Sequence, residues 1–243
     1  IGYKPLEYYV DYFTKSIRIG HNIIRQYNPH VQILVPVTQS WTREVITPGI
    51  RAEYAVKKIF GLLNQLSAKE GDFYWGMGYH SYPQKFNSRT WEDPDATFSM
   101  NTRMVTFKNL EVLDKWAKTP ANMYKGTKQR NIWLTENGSS TSTYTEQSLK
   151  EQAACAAYAL KKVEQLSGIQ TVIWHALTDN NVEGNLNLGL HYRKDHPGDP
   201  WGKKPSWYVY QAYGTANESK VLDQYLPVIG VSKWEDIIHS VSD

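Results

Sequence analysis

Four short apolar segments that alternate with long amphipathic ones constrain the fold of this chain more than any other feature. Val31 to Val37 (VQILVPV) is a continuous apolar run, which is typical of a strand buried on both faces of a parallel sheet. The other predicted strands are FYWGMGYHSYP, NIWLTENG and TVIWHALTDN. This alternation of strand and helix predicts an α/β fold with a parallel sheet.

The predicted helices follow the apolar spacing and the capping residues. Thr145 is expected to cap the start of one helix and Gly168 to end it. The segment TQSWTREVITPG is predicted to be a loop. The long helices are expected at about Pro5–Tyr27, Ile50–Ser67, Asn101–Lys118 and Thr145–Ser167, followed by a helix over KPSWYVYQAYG and a short one near Trp234.

Size and charge narrow the classes of function. The 243 residues are enough for one domain, 1–243, with a well-buried core. The net charge of +3 and the lack of a basic cluster argue against a nucleic acid partner. No apolar run is long enough to span a bilayer, so we expect no membrane segment. A single cysteine, Cys155, cannot form an intrachain disulfide and leaves the compartment open.

Polar residues with side chains suited to catalysis lie at the ends of the predicted strands. Glu136 ends the third strand, and a carboxylate at the end of a buried strand is costly unless something pairs or uses it. His80 and Tyr82 end the second strand and, two residues apart, point the same way. A tyrosine hydroxyl beside Glu136 can orient a nucleophile. The simpler alternative is a glutamate that binds an arginine or caps the next helix.

The fourth strand adds Trp174, then His175 and the run Asp179-Asn180-Asn181 at its mouth. A tryptophan at this place offers a sugar a flat apolar surface. Viewed alone, Trp174 is equally well explained as a core residue.

Taken in order, these strand ends resemble the retaining (β/α)8-barrel glycoside hydrolases of clan A, the group that includes the family 5 cellulases and mannanases. In that group HxYP often ends strand six, TE[NF]G with the nucleophile ends strand seven, and a Trp lies on strand eight, before a GL…KP stretch. The matching residues are His80, Tyr82 and Pro83; Thr135, Glu136, Asn137 and Gly138; Trp174; Gly189-Leu190 and Lys204-Pro205-Ser206-Trp207.

The resemblance implies that the chain is the C-terminal half, about strands 5 to 8, of a (β/α)8 barrel. The family's acid/base is a Glu, usually after Asn, at the end of strand four. No Asn-Glu lies on a strand before Val31, and Glu7 and Glu44 fall on the wrong elements. The acid/base is therefore expected upstream of Ile1, and the missing half-barrel is expected on another segment, another chain or a second copy.

The implied function is hydrolysis of a β-linked oligo- or polysaccharide by double displacement. Glu136 attacks the anomeric carbon while an acid about 5–5.5 Å away protonates the leaving oxygen. The resemblance assigns Tyr82 and His80 to the catalytic group. Substrate contacts are implied for Trp174, Asn137, Asn180, Trp41 and Gln39, with outer stacking by Trp91. It implies no cofactor, and the scattered histidines show no metal-binding spacing. This interpretation is compatible with an extracellular or periplasmic location.

Three alternatives remain at this point. The first is a carbohydrate-binding relative that keeps an aromatic cleft but lacks a working pair of carboxylates. The second is a serine hydrolase, which requires a GxSxG elbow that the sequence does not contain. The third is a structural half-barrel that assembles with another chain.

Overall fold

A four-stranded parallel sheet lies at the centre of the structure, a computed structural model that describes residues 4–47, 51–180, 182–184 and 186–243. A separate two-stranded antiparallel ribbon lies beside it. The strands are β1 (Ile33–Val37), β2 (Val45–Thr47), β3 (Arg51–Glu53), β4 (Trp75–Tyr79), β5 (Ile132–Asn137) and β6 (Ile169–Trp174).

The large sheet has the order β1-β4-β5-β6, so each strand pairs with the one that follows it among the four along the chain. Val35 pairs with Met77, and Met77 pairs with Ile132, which in turn pairs with Ile169. Because every pair is parallel, all four carboxyl ends meet at one edge of the sheet. The predicted α/β fold with a parallel sheet is confirmed.

Helices connect the strands and cover the sheet. Six 3₁₀ turns complete the connections, at Gln84–Phe86, Thr90–Glu92, Phe107–Asn109, Pro120–Asn122, Asp223–Tyr225 and Trp234–Ile237. The α-helices are α1 (Leu6–Tyr27), α2 (Val56–Lys69), α3 (Glu111–Ala117), α4 (Glu146–Glu164), α5 (Pro205–Ala212), α6 (Glu218–Leu222) and α7 (Leu226–Ile229). None of the helices in the described ranges combines the length and the apolar character needed to cross a membrane.

The predicted ends of α1 and the start of α4 agree with the structure. The hydroxyl oxygen of Thr145 accepts a hydrogen bond from the Ser148 backbone N–H, as expected of a cap. The predicted end of α4 was wrong, since the helix stops at Glu164 and Gly168 lies outside it. Gly168 instead donates its backbone N–H to Asp114, which fixes the start of β6.

Two other helix predictions were too long. The helix expected from residue 50 begins only at Val56, because residues 51–53 form β3 and pair with β2, which lies in the segment predicted as a loop. The helix expected from Asn101 begins only at Glu111. The side-chain amide of buried Asn109 donates to the backbone oxygens of Thr97 and Met104, and these bonds hold the preceding segment in a non-helical form.

The central strand β4 has two glycines where its neighbours need space. A Cβ atom at Gly76 would lie 2.7 Å from Cδ2 of Leu34 on β1. A Cβ atom at Gly78 would lie 3.2 Å from Oγ1 of Thr135 on β5. Side chains of the flanking strands therefore cover β4 on this face.

A fully buried ion pair fastens the long segment between β6 and α5. The Nζ atom of Lys204 lies 2.7 Å from Oδ1 of Asp179, and both side chains are 0% exposed. Asp179 also accepts hydrogen bonds from the Gly189 backbone N–H, at 2.7 Å, and from the Tyr144 hydroxyl, at 2.9 Å. The segment thus returns to the sheet at a fixed place.

We predict that Lys204→Met lowers the free energy of unfolding by about 3–5 kcal/mol, because it leaves the Asp179 carboxylate buried without its cation. Urea unfolding measures the change. Lys194→Met, an exposed lysine of the same segment, is the control and should change stability by less than about 0.5 kcal/mol. Equal effects of the two substitutions would contradict the anchoring role.

Candidate active site

The carboxyl edge of the sheet brings together the two strand-end motifs of β4 and β5. The Tyr82 hydroxyl donates a hydrogen bond of 2.9 Å to Oε1 of Glu136. The Nδ1 atom of His80 lies 3.9 Å from the other carboxylate oxygen. The predicted hydrogen bond between Tyr82 and Glu136 is therefore present, and the Glu136 side chain remains 47% exposed.

Burial keeps the two neighbours of Glu136 uncharged. Burial raises the pKa of Tyr82 well above its ordinary value, and the hydrogen bond to Glu136 adds to this effect. Burial lowers the pKa of His80, nearby His175 lowers it further, and Glu136 opposes both. At neutral pH the carboxylate therefore has a protonated phenol as donor and a neutral imidazole beside it.

Phe86 holds Tyr82 in place. The two rings meet edge to face with their centroids 4.9 Å apart. Lys85 and Phe86 both have positive φ angles, of 55° and 58°, an uncommon conformation for residues other than glycine. The carbonyl oxygen of Phe86 accepts the backbone N–H of Ser140 at 2.8 Å, so the turn after β4 is tied to the loop after Glu136.

Asn137 is a positioning residue in this structure. Its side chain is fully buried, and Oδ1 accepts hydrogen bonds from the backbone N–H and the hydroxyl of Ser81, at 2.6 and 2.7 Å. These bonds fix the chain between His80 and Tyr82. The substrate contact implied for Asn137 is replaced by this internal contact, because successive residues of a strand point to opposite faces.

The residue that shares the side of Glu136 is His175, which directly follows β6, and not Trp174. Trp174 pairs with Asn137 in the sheet, and both side chains are buried. Its indole N–H donates to the Leu188 carbonyl, and its ring lies parallel to Phe107. The structure therefore places Trp174 in the core, where it presents no face to a sugar, and corrects the implied stacking role.

A second carboxylate, Glu183, lies at the same edge of the sheet. Its Oε2 atom is 3.0 Å from Nε2 of His175, and its Oε1 atom accepts a hydrogen bond of 3.3 Å from the Asn180 amide. The hydrogen bond to His175 lowers the pKa of Glu183. Asn180 is thus near the site through Glu183, while its neighbour Asn181 lies outside the described residues.

Sequence reasoning places His175 at the mouth of the last strand without a role, and it offers Glu183 as the acid only if the acid/base comes from within this chain. The signal for His175 was its position directly after Trp174 at the end of a strand. Nothing local to Glu183 shows that the loop brings it back to β6, because the anchor of that loop is the distant Lys204.

The remaining residues with implied substrate contacts are Trp41, Gln39 and Trp91. Trp41 is fully buried, donates its indole N–H to the Met100 carbonyl and packs edge-on against Trp116. Its stacking role is therefore corrected to a core role. Gln39 is partly exposed, and its carbonyl accepts the Val105 N–H at 2.9 Å. Trp91 is half-buried against the core.

Among the described residues, no three His, Cys, Asp or Glu side chains come together as a group that could hold a metal ion.

A family model covers residues 1–237, almost the whole chain. The chain belongs to DUF5722, a family of unknown function. Comparison with curated proteins and with solved structures finds no match.

We predict that Gly138→Ala destabilises the chain by about 1–3 kcal/mol, as is usual when a packed site must shift. A Cβ atom at this position, next to Asn137, would overlap the carbonyl oxygen of His175. Thermal unfolding measures the effect. The matched control is Gly61→Ala in α2, where a Cβ atom meets nothing within 4 Å and stability should rise by up to about 1 kcal/mol.

We predict a pH-dependent stability term from Asp93, whose Oδ2 atom accepts the Gln84 backbone N–H at 3.0 Å and so anchors the turn after Tyr82. Burial raises the pKa of Asp93 to about 6. Between pH 3.8 and 6 the folded state holds a proton that the unfolded state has lost, so this stabilising term disappears as the pH rises through 6.

The substitution Asp93→Asn replaces the carboxyl group with an amide that does not ionise, so the pH-dependent contribution to stability is absent. The free energy of unfolding of the unmodified protein, relative to Asp93→Asn, should therefore fall by about 3 kcal/mol from pH 4 to pH 7, at about 1.4 kcal/mol per pKa unit. Urea unfolding across this range measures it. A difference that stays constant with pH would contradict the prediction.

Proposed function

We propose that this chain carries the nucleophile of a retaining glycoside hydrolase acting on a β-linked oligo- or polysaccharide, and that the nucleophile is Glu136. The observation that carries the proposal is the hydrogen bond of 2.9 Å from the Tyr82 hydroxyl to an exposed carboxylate at a strand end. Structural glutamates are more often paired with a cation. Here the neighbouring side chains, the donor Tyr82 and the nearby His80, are uncharged at neutral pH.

This environment suits covalent catalysis. A carboxylate that is held by a neutral donor keeps its orientation, and one of its oxygens stays free to attack. In the proposed reaction Glu136 forms a bond to the anomeric carbon as the glycosidic bond breaks, and the leaving oxygen takes a proton from an acid. Water then releases the sugar from Glu136.

For the fold, we propose that β1, β4, β5 and β6 are the last four strands of a (β/α)8 barrel. The sequential order supports this, because a doubly wound sheet reverses its strand order at a switch point. Side chains on the outer strands support it as well: Pro36 on β1 is exposed, and Ile173 on β6 is 46% exposed. Parallel sheets are normally covered on both faces.

A second set of strands would cover this face and supply the acid/base. In the proposal these strands come from another segment, another chain or a second copy. The alternative is a non-catalytic carbohydrate-binding barrel that lacks a working pair of carboxylates. The burial of Trp41 and Trp174 removes two expected aromatic contacts with a sugar from both functions alike.

We predict that Glu136→Gln lowers turnover at least 100-fold in the full-length protein, because an amide of nearly the same shape is a far weaker nucleophile. A panel of 2,4-dinitrophenyl β-glycosides measures it, with exposed Glu235→Gln as the control. The 2-deoxy-2-fluoro glycoside of the best substrate should label Glu136, as read by peptide mass spectrometry. Retention of more than about a hundredth of the rate, or a label elsewhere, would overturn the proposal.

A further inference from the structure

A polar group formed by Glu183, His175 and Asn180 shares the carboxyl edge of the sheet with Glu136. We propose that Glu183 binds two neighbouring hydroxyl groups of the sugar ring whose anomeric carbon faces Glu136. This inference rests on the proposed function and adds a substrate requirement to it. The ring seated beside Glu136 must carry a free vicinal diol.

Glu183 and Glu136 are joined through the neighbouring ends of β5 and β6. The backbone N–H of His175 donates a hydrogen bond of 2.6 Å to the carbonyl oxygen of Asn137, the residue directly after Glu136. The side chain of His175 in turn contacts Glu183. The two carboxylates therefore border one polar site, and a sugar in contact with Glu136 is within reach of Glu183.

The hydrogen bonds of Glu183 leave acceptor positions open. An ionised carboxylate has about four lone-pair positions, two on each oxygen. His175 occupies one position on Oε2, and the Asn180 amide occupies one on Oε1. Each oxygen keeps one position, and the side chain is 39% exposed. Hydroxyl groups on adjacent ring carbons can donate to the two oxygens of one carboxylate.

The carboxylate is also fixed before a ligand arrives. His175 and Asn180 contact different oxygens, so rotation of the carboxylate breaks a bond on either side. The loop is tied down next to Asn180 by the buried Asp179–Lys204 pair. Groups that are ordered in advance lose less entropy on binding, which favours a ligand site over a chance surface contact.

Direct binding tests the inference without turnover. The ligands are the 4-nitrophenyl β-glycosides of glucose, mannose and xylose, titrated calorimetrically into full-length Glu136→Gln protein, together with the 3-deoxy form of the one that binds best. The 3-hydroxyl belongs to either vicinal pair of the ring, so its removal breaks the diol in both cases. We expect the 3-deoxy glycoside to bind about 10- to 100-fold more weakly, the usual effect of a hydrogen bond to a charged group.

Adding Glu183→Gln to the Glu136→Gln protein should weaken binding of the parent glycoside by a similar factor. The difference in affinity between the parent and the 3-deoxy glycoside should become smaller. Adding Glu235→Gln, an exposed glutamate remote from the site, should change neither. Asn180→Ala, which removes one of the two groups that hold the carboxylate, gives a milder variant and should weaken the parent glycoside several-fold. It also serves if Glu183→Gln fails to fold.

Two results separate this inference from the proposed function. Parent binding that is unchanged by Glu183→Gln and by Asn180→Ala, or a 3-deoxy penalty that persists in both, overturns the diol site and leaves Glu136 as the proposed nucleophile. No binding by any form, together with no labelling of Glu136 in the unmodified protein, overturns both.

Discussion

The buried ion pair between Asp179 and Lys204 determines how the chain is arranged after its last strand. Two opposite charges without exposure to water are costly to separate, and Asp179 is further satisfied by Gly189 and Tyr144. The pair therefore gives the loop one return path to the sheet. Because Glu183 lies in this loop, its contact with His175 depends on the buried Asp179–Lys204 pair.

The site itself combines a rigid side with an open side. On the rigid side, Phe86 packs against Tyr82, and Ser81 is bonded to Asn137, so the phenol that contacts Glu136 has little freedom. On the open side, the second carboxylate oxygen lies 3.9 Å from Nδ1 of His80, and the Glu136 side chain is 47% exposed. A carboxylate that is oriented from behind and free in front is suited to attack a bound carbon atom.

The order of the strands and the meeting of Tyr82 with Glu136 were predictable from sequence, since carboxyl ends of parallel strands share an edge. Trp174 was misplaced because its direction depends on the β5–β6 register, which pairs it with buried Asn137. The start of α2 was missed because the residues before it form β3, which pairs with β2. The position of Glu183 depends on the Asp179–Lys204 pair, whose members are 25 residues apart in the chain, and local pattern does not encode such a contact.

The two glycines of β4 determine which residues shape this face of the sheet. Gly76 and Gly78 contribute no side chains, so the surface above the central strand is built by its neighbours, through Leu34 and Thr135. Larger side chains at these two positions would collide with Leu34 and Thr135. The shape of this face can therefore change through β1 and β5 while β4 stays constant.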